Sequence, residues 1–248
     1  MTRYKLTLEY DGGPFVGWQR QANGVSVQSA LEDAILRYSG EQATVHAAGR
    51  TDAGVHALGQ VAHVDIARGD SAYKVREALN ALIRPAPVAI VAAEVVDEHF
   101  HARFSCIGRS YVYRVLNRRA PPALEAGRVW WLARPLDAEA MAEAAVHLLG
   151  RHDFTSFRAA ECQADSPLRT LDVLTVSHTG DLIEVRAEAR SFLHHQVRNI
   201  VGTLAQIGVG RWSPDAMAAI LAARSRAAAG PTAPPDGLFF IAARYPAP

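Results

Sequence analysis

Apolar and polar residues change their period several times along the chain, and each change marks a predicted element. Residues 4–10 alternate with period two and stop at Asp11-Gly12-Gly13-Pro14, a strand running into a turn. Val27, Ala30, Leu31, Ala34, Ile35 and Tyr38 then recur at helical spacing, with Ser26 placed to cap the first turn and Gly40 to stop the last. Strand-like runs follow at 43–48 and 58–66, then a helix at 72–83 ended by Arg84-Pro85, then a β-branched strand at 88–96. Beyond a connector at 100–108 the pattern predicts a strand at 110–117 and an Ala- and Leu-rich helix at 138–149, with Asp137 as cap and Gly150 as stop. Strands at 171–178 and 182–189 are joined by Thr179-Gly180-Asp181, a hairpin signal. A helix at 192–207 carries His195, Arg198 and Asn199, and Pro214 opens another behind Ser213. A Gly- and Pro-rich loop at 228–236 leads to a last strand at 238–244. Hairpins and crossovers mixed with helices in this way predict an α+β fold with a largely antiparallel sheet. The connector suggests a division into residues 1–105 and 106–248.

Composition adds limits. With 248 residues, 49% of them apolar, the chain can bury one large core or two small ones. The alternating N-terminus reads as a strand, not a secretory signal, and no apolar run reaches the roughly 18 residues of a membrane span. Cys106 and Cys162 fit no metal or disulfide spacing, so a cytoplasmic setting is expected. A net charge of +1 gives no global pull on nucleic acid. All basic residues except Lys5 and Lys74 are arginines, which suit phosphate and base contacts but equally reflect an Arg-rich composition. Groups at Arg109, Arg114, Arg118 and Arg119, and at Arg186, Arg190 and Arg198, are candidates for a basic face.

Candidate chemistry concentrates in residues 49–65, where Arg50 and Asp52 sit in a Gly-flanked loop between two predicted strands. Strands on either side of a loop are a good means of fixing a carboxylate. Such a pair also reads as a plain structural ion pair. A carboxylate kept ionised by a guanidinium suits a nucleophilic or electrostatic role more than that of a general acid. His46, His56 and His63 lie nearby, but their spacing matches no metal-binding pattern, and His99 and His101 add none. Residues 12–21 lack the phosphate-loop lysine and the dinucleotide glycine spacing. Phe15, Trp18, Gln19 and Arg20 there fit either an RNA contact or a turn packed by its own aromatics.

Six segments in order resemble the TruA family of tRNA pseudouridine synthases. They are Tyr10 to Gln19 with Val27-Gln28 and Leu31-Glu32, then Gly49 to Gln60. His101-Ala-Arg-Phe-Ser105 with Tyr111-Val-Tyr113 comes next, followed by His152 to Arg158 with Cys162-Gln163 and Ser166-Pro167. Phe192 to Gly202 and Ala233 to Leu238 complete the set. The resemblance implies a pseudouridine synthase fold with a mixed, mostly antiparallel sheet flanked by helices, in two similar halves around a central cleft. It implies a homodimer acting on the tRNA anticodon stem-loop at positions 38 to 40, with no metal and no small-molecule cofactor. Residue by residue, it makes Asp52 the catalytic carboxylate and Arg198 its partner. Arg50 displaces the target base, Tyr111 stacks on the uracil, and Leu238 lines an apolar pocket. Departures are Cys106-Ile107-Gly108, Asp165 where a lysine is expected, and His194-His195-Gln196. Two other readings stand beside this one: a tRNA-binding or folding protein without catalysis, and a metal-dependent hydrolase using Asp52, His56 and His63.

Overall fold

The computed structural model describes residues 1–246. In chain order its elements are β1 (Thr2–Tyr10), α1 (Val27–Ser39), β2 (His46–Ala47), β3 (His56–Ile66), α2 (Ala72–Leu82), β4 (Val88–Val96), β5 (Gly108–Leu116) and β6 (Trp130–Trp131). There follow α3 (Ala138–Val146), β7 (Gly150–Asp153), β8 (Leu168–Thr179), β9 (Leu182–Ala189), α4 (Gln196–Gly208), α5 (Ala216–Ala223) and β10 (Leu238–Arg244). Packing groups them into two units. The first holds residues 1–109 and 239–246; the second holds 110–238.

In the first unit the strand order is β4-β1-β3-β10, with β2 on β3. Neighbours of β1 are antiparallel, and β10 runs parallel to β3, with Phe239 opposite His56. The alternation along β1 has a plain cause: Tyr4, Leu6, Leu8 and Tyr10 all point into the core. Leu8 pairs with Gln60 but Tyr10 with Ala57, so three steps of β3 oppose two of β1. This bulge falls just before Gln60 and redirects the strand there. Helix α1 buries Val27, Leu31, Ala34 and Ile35, and a reciprocal capping box between Ser26 and Ser29 starts it. Helix α2 is capped by Ser71 and held to β4 by Asn80, whose amide exchanges hydrogen bonds with the Ile90 backbone at 2.8 and 2.9 Å.

In the second unit the order is β5-β9-β8-β7, with β6 parallel to β5. Strands β8 and β9 form the expected hairpin, and β7 is antiparallel to β8. Helix α3, capped by Asp137, packs on β8 and α4. Tyr113, Phe154, Phe157, Ile183, Val185, Ile200 and Leu204 form the buried centre. Both units are therefore α+β with mainly antiparallel pairing.

Four expectations are corrected. The helix expected at 192–207 starts only at Gln196, because His195 has φ 60° and the chain before it turns through Leu193. The helix expected at 138–149 ends at Val146, and Gly150 opens β7 instead of stopping that helix. The run at 43–48 contributes only two strand residues. The division lies at residue 109, not 105, and β10 returns to the first unit because its ladder partner is β3. No helix among the described residues is long and apolar enough to cross a membrane.

Three histidines of the first unit, His46, His63 and His101, are packed together. His63 is 2% exposed on β3, and its Nδ1 accepts the Ala102 N–H at 3.1 Å. Its ring stacks on His46 at 5.0 Å and meets the edge of His101 at 4.5 Å. Burial lowers its pKa from 6.5 to about 4, helped by the nearby His101, His46 and Arg3, while Asp65 pulls the other way. The unfolded chain thus binds a proton below pH 6.5 that the folded chain refuses until about pH 4. Folding stability should fall as pH drops through that window, and His63→Gln should flatten the dependence. Denaturant titrations at several pH values measure both slopes; equal slopes would contradict this assignment.

Candidate active site

Asp52 lies in the first unit, half-buried, at the tip of the segment joining β2 to β3. Two earlier residues, Tyr10 and Trp18, and two later ones, Gln60 and Arg109, hold that segment. The Thr51 carbonyl accepts the Trp18 N–H at 3.0 Å, and the Thr51 hydroxyl bonds the Tyr10 hydroxyl at 2.8 Å. Gln60, fully buried just past the bulge, donates its Nε2 to the Gly49 carbonyl at 2.8 Å and to the Tyr10 oxygen at 3.5 Å. Its Oε1 accepts the Val61 N–H, which fixes the orientation of the amide. Behind the loop, the Arg109 Nε and Nη2 donate to the Ala48 carbonyl at 3.0 and 2.7 Å. The Val55 N–H returns to the Asp52 carbonyl at 3.1 Å, closing a tight turn over Gly54.

Gly17 explains why the segment after β1 reads as it does. Its φ is +113°, and a Cβ there would sit 2.9 Å from the Thr51 carbonyl oxygen. Only glycine lets the 12–18 turn approach the Asp52 loop this closely. The two open readings of that turn resolve as packing for Phe15 and Trp18, which are 5% and 3% exposed. Arg20 is turned to Glu32 and Asp33. Tyr10, Thr51 and Gln60 have no sequence signal of their own; the only hint is that all three fall within the segments that carry the family resemblance.

His56 belongs to the same support. Its Nδ1 accepts the Gly12 N–H at 3.0 Å and lies 3.2 Å from the Asp11 carboxylate, and its ring stacks on Phe239 at 4.7 Å. Arg50 is exposed beside Asp52 in sequence.

The other expected site residues lie in the second unit. Tyr111 is 8% exposed on β5, its ring meeting Phe192 edge-on at 5.2 Å. Arg198 stands in the first turn of α4, half-buried. Its Nε donates to the Ala233 carbonyl at 2.8 Å, while the Ala233 N–H returns to the Arg198 carbonyl at 3.1 Å. Asn199 accepts from Arg226 and Thr232 and donates to the Phe157 carbonyl, tying the 226–233 loop to α4. Gly202 makes this possible, since a Cβ there would overlap the Pro231 carbonyl at 1.7 Å. Leu238 follows at the end of the 3-10 turn Pro235–Gly237, 5% exposed. Tyr113, one turn of strand from Tyr111, donates its hydroxyl to the Pro234 carbonyl at 2.7 Å, and burial raises its pKa.

The arginine groups do not all serve a basic face. Arg109 is engaged with the Asp52 loop, Arg114 with Glu184 at 3.2 Å and Arg118 with Asp181 at 3.5 Å. Arg119, Arg186 and Arg190 are exposed.

These loops fall on the segments that known proteins share. A family profile described as tRNA pseudouridine synthase matches residues 7–105 and 144–246. The chain belongs to the tRNA pseudouridine synthase family. It is 62% identical over 247 residues to tRNA pseudouridine synthase A of Paramagnetospirillum magneticum, covering 100% of this chain and 96% of that one. It is 61% identical to the protein of the same name from Rhodospirillum rubrum, covering 99% and 88%, and 62% identical to that of Rhodospirillum centenum, covering 99% and 100%. The family match includes Arg50, Asp52, Arg198 and Leu238, whereas Tyr111 falls between its two stretches.

The close approach at Gly17 generates a prediction. Gly17→Ala should cost on the order of 1 to 3 kcal/mol of unfolding free energy, because backbone strain and overlap with Thr51 act together. Chemical denaturation measures it, and an unchanged midpoint would contradict the packing described.

Proposed function

We propose that the chain isomerises uridine to pseudouridine in tRNA, with positions 38, 39 and 40 of the anticodon stem-loop as targets. Full-length likeness to synthases of that name, at 62% identity, carries the reaction and the tRNA substrate, and the positions rest on the family resemblance alone. A loop carrying Asp52 on a buried hydrogen-bonded scaffold supports it. The working form is a homodimer, as the family resemblance implies.

The reaction breaks the C1′–N1 bond, turns the uracil and joins C5 to C1′. The C5 proton leaves and N1 gains one, so atoms and electrons balance without redox change, hydrolysis or a group donor. No metal or small-molecule cofactor is called upon. A stacked base hides C1′, so the nucleotide must first be extruded, at a cost of a few kcal/mol. Arg50, exposed on the loop, fills the vacated space and meets a phosphate. Tyr111 offers its ring face to the uracil and restores stacking worth about 1 to 3 kcal/mol. Leu238 closes the apolar side of the base pocket. The Asp52 carboxylate starts cleavage by attack at C1′ or by removing the 2′ proton. Arg198, its Nε committed to the Ala233 carbonyl, is the residue that the family resemblance makes the partner of the catalytic carboxylate.

Purified protein incubated with tRNA transcript and a chelator should produce pseudouridine at these positions, mapped by sequencing after chemical derivatisation. RNA binding without any pseudouridine would favour the non-catalytic reading, and loss of activity with chelator the hydrolase-like one. Asp52→Asn should lower turnover more than about a thousandfold while leaving tRNA affinity intact. Arg198→Lys should lower it about 10- to 100-fold, because the bidentate geometry is lost. Full turnover in either variant removes that residue from the mechanism.

A further inference from the structure

We propose that Tyr10 is a positioning residue for Asp52, acting through its hydroxyl on Thr51. The inference rests on Asp52 being the catalytic carboxylate. Tyr10 is 3% exposed at the end of β1, and its ring fills core space that a phenylalanine ring would fill equally well. The hydroxyl is what distinguishes the two, and its partners are loop groups. Gln60 Nε2 donates to the Tyr10 oxygen at 3.5 Å, and the Tyr10 and Thr51 hydroxyls share a hydrogen bond at 2.8 Å. Burial pushes the Tyr10 pKa up to about 12, so the hydroxyl keeps its hydrogen throughout the working pH range.

Thr51 is thereby held at two points. Its side chain is fixed by Tyr10 and its carbonyl by the Trp18 N–H at 3.0 Å. The next residue is Asp52, whose own carbonyl is fixed by Val55. With both flanking peptide units restrained, the direction in which the Asp52 side chain leaves the backbone is set by groups that never meet the substrate. Removing the Tyr10 hydroxyl leaves the ring packed and the Trp18 bond intact, but lets the Thr51 side chain turn. An error of about 1 Å in a reacting group lowers turnover roughly a hundredfold.

The test is single-turnover and steady-state kinetics of Tyr10→Phe, Thr51→Val, Thr51→Ser and the double variant Tyr10→Phe/Thr51→Val, with thermal melts and the Asp52→Asn variant as control. Tyr10→Phe and Thr51→Val should each lower kcat about 10- to 100-fold, with KM for tRNA within about twofold. Thr51→Ser, which keeps the hydroxyl, should stay within about threefold of the parent. The double variant should be no worse than the poorer single one, since both remove the same bond. Parental kcat in Tyr10→Phe together with an inactive Asp52→Asn overturns the positioning role alone. Full turnover in Asp52→Asn overturns the catalytic assignment and this proposal with it. Additive losses, or losses that track the melting temperature across the set, show a general packing effect and also overturn it.

Discussion

The Asp52 loop is tied to the core of the first unit by the contact between the Tyr10 and Thr51 hydroxyls. A loop bearing a reactive carboxylate has backbone groups that water would ordinarily satisfy, and water would leave it mobile. Here the bonds come from the core. The end of β1 supplies Tyr10, the turn after it supplies the Trp18 N–H, and the strand beyond the loop supplies Gln60. Each donor depends on a local feature: burial of the alternate face of β1, glycine at position 17, and the bulge before Gln60. Losing any one would free a part of the loop while leaving the sheet standing.

The second unit solves a comparable problem with a helix. Arg198 is long and flexible, yet its Nε is committed to Ala233, and Ala233 is itself held by the Arg198 backbone. The 226–233 loop stays against α4 through Asn199 and through the close backbone contact that Gly202 permits. A guanidinium restrained in this way has less entropy to lose on binding any anion. The segments Val197 to Gly202 and Ala233 to Leu238, distant in sequence, are thus two parts of one structure.

The elements built on burial were legible in the chain. The alternation of β1, the spacing of α1 with its Ser26 cap, and the 182–189 hairpin strand all follow from which residues face a core. Asp52 stood out with Arg50 as a pair in a Gly-flanked loop, but an acid beside arginines has many structural explanations, and the roles given to Asp52 and Arg198 came only through resemblance. What was not legible depends on contacts between distant segments. No local pattern shows that Gln60 bonds Gly49, or that Arg109 is engaged with Ala48 instead of contributing to a basic face. The helix start at Gln196 was missed because Phe192 to His195 continue a helical pattern that the positive φ of His195 interrupts. The return of β10 to the first unit was hidden because a parallel partner as far back as His56 leaves no trace in a short apolar run.

Native-state hydrogen exchange at the Trp18 and Val55 amides tests most directly whether the Asp52 loop is part of the core and not a surface loop. Both amides donate to carbonyls of that loop. If the scaffold is as rigid as its bonds imply, they should exchange only through the large opening that also exposes the β1–β3 ladder, with matching protection. Exchange at the rate of unprotected loop amides, while the ladder stays protected, would contradict it.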